Sequence, residues 1–165
     1  MIIGIIGSGG REHAICEKIS KSKKVKKIYC FPGNAGTSLI AKNIKINIDD
    51  FDKIKEFVVK NKIDLLVVGP EKPLVNGIVN YFKNHNIKIF GPEKIASQLE
   101  GSKTFTKKIC EKYKIPTAKF ADLKNLKEAN LFLKKSNFPI VIKPVNEGSS
   151  LGVYIYKNKK KFNIN

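Results

Sequence analysis

The stretch Met1-Ile2-Ile3-Gly4-Ile5-Ile6-Gly7-Ser8-Gly9-Gly10-Arg11-Glu12-His13-Ala14 decides the fold. Its apolar, isoleucine-rich start predicts a buried parallel strand. A glycine-rich turn follows, and then a helical pattern with Ala14, Ile15 and Ile19 apolar and Lys18 and Lys21 polar. Strand, glycine turn and helix together aim free backbone N–H groups at an anion. Gly7, Gly9 and Gly10 leave no side chain between backbone and ligand. Arg11 falls in the first helical turn, where a guanidinium can take two phosphate oxygens at once.

A dinucleotide site does not fit these residues. Gly7-Ser8-Gly9 matches the first two glycines of G-x-G-x-x-G, but Glu12 stands at the third position. The next predicted strand, residues 27–31, runs directly into Pro32, with no acidic residue at its end for a ribose 2′-hydroxyl. The expectation is a phosphate site without a dinucleotide.

Outward from this turn, Pro32-Gly33-Asn34-Ala35-Gly36-Thr37 reads as a loop at the carboxyl end of the second strand. Residues 44–48 alternate and predict a short strand. Asp49 or Asp50 can cap a helix carrying Ile54, Phe57 and Val58 on one face. Residues 64–69 form the clearest buried strand and end in Pro70-Glu71. A helix then begins near Pro73, with Leu74, Val75, Ile78, Val79 and Phe82 as its stripe, and residues 87–90 are a further strand. This alternation predicts an α/β, Rossmann-like, doubly wound parallel sheet. Beyond Gly91 the pattern changes to helices over 93–99 and 103–113, a strand over 118–123 and a helix over 126–135. Residues 139–144 and 153–156, joined by the glycine-rich stretch 146–152, predict a hairpin.

Composition narrows the class. The chain has 165 residues, 42% hydrophobic, and a formal net charge of +18. Of 32 basic residues only Arg11 is an arginine, and the lysines are scattered except over 157–161. Nucleic-acid readers bring arginine and interleaved aromatics, so no specific nucleic-acid partner is expected. No apolar run approaches the roughly 20 residues of a membrane span, so a cytoplasmic chain with no membrane partner is expected. Cys16, Cys30 and Cys110 form no C-x-x-C and read as free thiols; with His13 and His85 they make no zinc pattern.

Gly7-Ser8-Gly9-Gly10-Arg11-Glu12-His13-Ala14 resembles the opening signature of the phosphoribosylamine–glycine ligase (glycinamide ribonucleotide synthetase) family. Pro32–Thr37, Val68-Gly69-Pro70-Glu71 with Pro73-Leu74-Val75 and Gly77, and Phe90-Gly91-Pro92 follow in that family's order. Leu99-Glu100-Gly101-Ser102-Lys103 is similar to its junction into an ATP-grasp domain. The resemblance implies a pre-ATP-grasp, phosphosugar-binding domain over residues 1–100 and the beginning of an incomplete ATP-grasp domain over 101–165. It implies an ATP-dependent ligase of de novo purine biosynthesis that joins 5-phosphoribosylamine to glycine and releases ADP and phosphate. Gly9, Gly10, Arg11, Glu12, Asn34, Gly36, Pro70 and Glu71 are then candidates for the phosphate and ribose. Lys103, Lys143, Glu147, Gly148, Ser149 and Ser150 are candidates for ATP. Catalytic residues are not assigned.

One segment departs from the pattern. Lys143-Pro144 with residues 147–153 is more similar to D-alanine–D-alanine ligase, whereas Gly-Gly-Arg-Glu-His is not found there. The resemblance also implies Mg²⁺ (or Mn²⁺) held by carboxylates and an asparagine late in the ATP-grasp domain, and nothing after Lys143 offers that group. The expectation is the front of a monomeric enzyme that binds small-molecule substrates and does not turn over alone. Another ATP-grasp carboxylate–amine ligase, or a non-catalytic phosphosugar-binding fragment, are the alternatives.

Overall fold

A computed structural model describes residues 1–148 and 150–158. The chain divides into two compact units, Met1–Gln98 and Leu99–Asn165. In the first, strands β1 (Ile2–Gly7), β2 (Lys27–Pro32), β3 (Lys42–Asn43), β4 (Leu65–Val68) and β5 (Ile89–Phe90) form one parallel sheet in the order β3-β2-β1-β4-β5. The isoleucine run is the central strand, which is why it tolerates no polar residue.

Alternation sends its side chains to two cores. Ile3 and Ile5 pack with Cys16, Ile28, Cys30 and Val67 beneath helix α1 (Gly10–Ser20). Ile6 joins Phe31, Leu66 and Val68 on the opposite face, against α2 (Phe51–Lys60) and α4 (Ile78–Lys83). Helices therefore cover both faces, as the strand–helix alternation implies. Gly4 points into the second core, where a Cβ would lie 2.6 Å from Leu66. Asp50 caps α2 by accepting the Lys53 N–H at 3.1 Å.

Three expected elements differ. The strand expected over 44–48 is not formed; pairing stops after Lys42–Asn43, with one further bond from the Ile44 N–H to Cys30 O at 2.8 Å. Ile44, Ile46 and Ile48 still pack on the core, so their alternation reports burial rather than pairing. The helix expected from Pro73 is two short helices, α3 (Glu71–Asn76) and α4, broken at left-handed Gly77 (φ 94°). Pro73 occupies its third position, not its first.

In the second unit, α5 (Lys94–Gly101) arrives from the first and gives way at Ser102 to α6 (Lys103–Lys112). Then come α7 (Leu126–Lys135) and an antiparallel hairpin of β6 (Ile140–Ile142) and β7 (Tyr154–Tyr156). Residues 118–123, expected as a strand, are irregular. Among the described residues they have no strand to pair with, and the Lys107 ammonium holds Thr117 Oγ1 and Ala118 O, each at 2.7 Å. Ser149, and residues 159–161 of the lysine cluster, lie outside the described residues. Among those described, no helix is long and apolar enough to cross a membrane.

Candidate functional site

The carboxyl ends of β1, β2 and β4 come level at one edge of the first unit. The Gly33 N–H donates to Gly7 O at 3.1 Å, and the Gly69 N–H to Ile6 O at 3.0 Å. In an open parallel sheet this edge is where ligands bind. Gly7 turns the chain with φ 126°, a conformation that a Cβ would strain. Gly9 then caps α1. The first-turn N–H groups of Gly10 and Arg11 have no carbonyl to meet within the helix and so open outward at its positive end.

Glu12 lies inside this turn, with its side chain only 4% exposed. Its Oε2 accepts the Gly9 N–H at 2.6 Å, and its Oε1 accepts from Arg11 Nε at 3.2 Å. A Cβ on Gly7 would lie 2.6 Å from the Glu12 side chain, and one on Gly69 would collide with it. The carboxylate thus fills the space that a third glycine would leave. The Gly9 N–H is engaged by Glu12, so Gly10 and Arg11 carry the open amides.

The loop after β2 is tied to the turn. Asn34 Nδ2 donates to Ser8 O (2.8 Å) and Gly9 O (3.2 Å). Its own conformation is held by Thr37, whose N–H donates to Asn34 Oδ1 at 2.9 Å, and by Asn43 Nδ2, which donates to Asn34 O at 2.7 Å. Thr37 is fully buried. Gly36 packs so closely on the His13 ring that no Cβ fits. The sequence named Thr37 and His13 only as members of motifs and did not name Asn43, and it placed none of the three at the site. The polar type of Thr37 in the loop after β2, and of Asn43 in β3 beside it, was the available signal.

Across the mouth, Pro70 precedes α3 and Glu71 opens it. Glu71 Oε2 stands 3.6 Å from Arg11 Nη2, both side chains about half exposed (50% and 53%). An ion pair this open and this long contributes little stability. Gly9, Gly10, Arg11, Asn34, Gly36, Pro70 and Glu71 therefore gather at one sheet edge, with Glu12 beneath them. Under the turn, Cys16 and Cys30 face each other with sulfurs 3.9 Å apart; burial pushes the Cys30 thiol up to about 12 and raises Cys16 as well. A groove of about 560 Å³ lies elsewhere, lined by Asn47, Asp49, Asp50, Phe51, Asp52, Lys53 and Tyr81. Its carboxylates are paired with Lys53, Lys55 and Lys72.

The second unit gathers the other candidates. The Lys103 N–H donates to Val145 O at 3.0 Å, and its ammonium reaches the carbonyls of Val145 and Glu147. Lys143 follows β6 directly and is exposed, so its charge needs no buried partner. Glu147, Gly148 and Ser150 are exposed in the turn between β6 and β7. The Leu151 N–H closes that turn onto Gly148 O at 3.0 Å, with Ser150 (φ 61°) and Gly152 (φ 66°) left-handed.

Comparison with known proteins covers both units. Residues 1–100 match the family model described as phosphoribosylglycinamide synthetase, N domain, and residues 101–163 its ATP-grasp (A) domain. A phosphoribosylamine–glycine ligase of Clostridium acetobutylicum is 49% identical over 160 residues, 97% of this chain and 38% of the relative. One of Caldanaerobacter subterraneus subsp. tengcongensis is 48% identical over 158 residues, 96% of this chain and 38% of the relative. The crystal structure of the Thermotoga maritima phosphoribosylamine–glycine ligase superposes with a TM-score of 0.72 at 30% identity, over 98% of this chain and 37% of that one. The chain thus spans a little over a third of the length of these relatives. The two family models together cover residues 1–163 without a gap, from the strand and glycine turn that open the first unit to the hairpin of the second, and the chain belongs to the phosphoribosylglycinamide synthetase family.

Proposed function

We propose that this chain is the front part of an ATP-dependent ligase that joins 5-phosphoribosylamine to glycine, releasing ADP and phosphate, in purine biosynthesis. The observation that carries the reading is the pairing, at one sheet edge, of an anion cradle with a half-exposed carboxylate: Arg11 and the Gly10 and Arg11 amides beside Glu71. A phosphosugar bearing an amine needs both. Its phosphate would take the cradle, and Glu71 would hold a ribose hydroxyl or the amine, with Asn34, Gly36 and Pro70 shaping the wall. The 3.6 Å Arg11–Glu71 pair is what the ligand would enter between.

In the second unit, the donors suit a polyphosphate. Lys143 is exposed, and Lys103 holds only backbone carbonyls that phosphate oxygens could replace. Glu147, Gly148, Ser149 and Ser150 would complete the nucleotide contact. Mg²⁺ on the nucleotide would neutralise charge developing on the transferred phosphoryl group; none of the residues named here is assigned to it. Substrates would be small molecules, with no specific nucleic-acid or membrane partner, in a cytoplasmic monomer.

Calorimetry with ribose 5-phosphate tests the reading. Arg11→Ala should weaken binding by roughly 1.5–3 kcal/mol, the range for a hydrogen bond to a charged group. Unchanged affinity would remove the site from this edge.

A further inference from the structure

We infer that Glu12 is a positioning residue: it touches no ligand, and sets the direction in which Arg11 presents its guanidinium. Sequence resemblance placed Glu12 among the substrate contacts. Its geometry argues for another role. With 4% of its side chain exposed, the carboxylate has no open edge for a sugar. Both oxygens are engaged from within, Oε2 by the Gly9 N–H at 2.6 Å and Oε1 by Arg11 Nε at 3.2 Å.

The choice of Nε matters. Holding a guanidinium at Nε leaves free its end-on pair of N–H bonds, one from each terminal nitrogen, and this pair can grip phosphate with two parallel bonds. Arg11 Nη2 does point at an anion in this structure, Glu71 Oε2 at 3.6 Å. Without the Nε contact, a half-exposed arginine samples many rotamers and must lose that freedom on binding. The close fit of Glu12 against Gly7 and Gly69 fixes the carboxylate, and through it the arginine. A glutamine of the same shape could still accept the Gly9 N–H but would lose the charge that holds Nε.

This inference rests on the phosphosugar reading for its ligand, but not for the Arg11–Glu12 geometry, and the two are separable because Arg11 is the only arginine in the chain. In a ¹⁵N-correlated NMR spectrum of the full chain, a single side-chain Nε–H signal then reports this contact directly, with no ligand present. The expected result is a rigid signal in the unsubstituted chain, which becomes mobile and moves upfield in Glu12→Gln. Titration with ribose 5-phosphate should show about fivefold weaker binding for Glu12→Gln. In an Arg11→Ala background the same substitution should change affinity less than twofold, because nothing is left to position.

Equal weakening in both backgrounds would make Glu12 a merely structural residue and overturn the inference. So would an Nε–H signal that is already mobile in the unsubstituted chain. If Glu12→Gln does not fold, Arg11→Lys serves: it keeps the charge but offers no Nε, so it should bind nearly as poorly as Arg11→Ala, and wild-type affinity would overturn the proposal. A rigid Nε–H signal with no ribose 5-phosphate binding would sustain the positioning role and sink the phosphosugar reading instead.

Discussion

The two glycine-rich turns of this molecule are similar on paper and differ in what carries them. The turn at 7–10 rises from β1, a strand with hydrogen-bonded neighbours on both sides and a packed core on each face. The turn at 146–152 joins two three-residue strands whose residues Val141, Tyr154 and Ile155 are 53–65% exposed. Among the described residues, Leu133 is the only buried hydrophobic side chain after Gln98. Glycine states where a chain can bend; burial of the flanking strands decides whether the bend is held. The first turn is a fixed cradle, whereas the second is kept by its own turn bonds and by Lys103 on the carbonyls of Val145 and Glu147, with no packed strands beneath it.

Hydrogen exchange gives the widest contrast. Amides of Ile3–Ile6 and Leu66–Val68 should open only with the whole unit, with protection factors above roughly 10⁴, while those of 154–156 should stay below roughly 10². Comparable protection in both would mean that the hairpin is held by something other than its own core. Truncation in the core is next. Phe82→Ala, at a fully buried position, should cost about 3–5 kcal/mol in urea unfolding, and Ile155→Ala at its exposed position less than about 0.5 kcal/mol. A hairpin substitution as costly as the core one would break the comparison.

Within the first turn the contrast sharpens from residue to residue. Gly7→Ala meets both a left-handed φ of 126° and the Glu12 side chain 2.6 Å away, and should cost about 1–3 kcal/mol. Gly10→Ala, with nothing within 4 Å of its new Cβ, should stay within about 0.5 kcal/mol. The smallest effect is chemical. Burial holds Cys16 and Cys30 protonated, so at pH 8 only half-buried Cys110, in the second unit, should react quickly with an alkylating reagent. The sign for stability follows from the raised thiol. With its ordinary value at 9.0 and its folded value about 12, Cys30 stabilises the first unit fully below pH 9, and that contribution is lost as pH rises toward 12. Cys30→Ala should flatten that alkaline fall; an unchanged slope would return it to the lysines.

Much of the first unit was legible because its signals are redundant. An isoleucine run, a glycine turn and an amphipathic helix each imply the next, and the alternation of strands and helices implies a parallel sheet. What failed did so where one pattern serves two ends. The alternation of Ile44, Ile46 and Ile48 is that of a strand, yet these side chains pack on the core without a pairing partner. Residues 118–123 place Phe120 and Leu123 in a short run after a helix, but strand pairing depends on a neighbour that sequence cannot supply. At the site, Arg11 and Glu71 stood out by type and position. Glu12 was visible as a residue but not as a role, although a glutamate three places after the helix cap is the spacing at which a side chain turns back to the cap N–H.

The Glu12 plug also constrains which sequences can reach this turn by single steps. Positions 7 and 69 are closed to any larger residue because of what stands at 12, not because of the backbone alone. A substitution such as Gly69→Ala, disruptive by itself, becomes sterically possible once residue 12 is shortened, and shortening residue 12 releases the arginine. Mutational tolerance at these three sites is therefore epistatic: the order in which changes are introduced, rather than their sum, determines which variants of the cradle remain folded along the way.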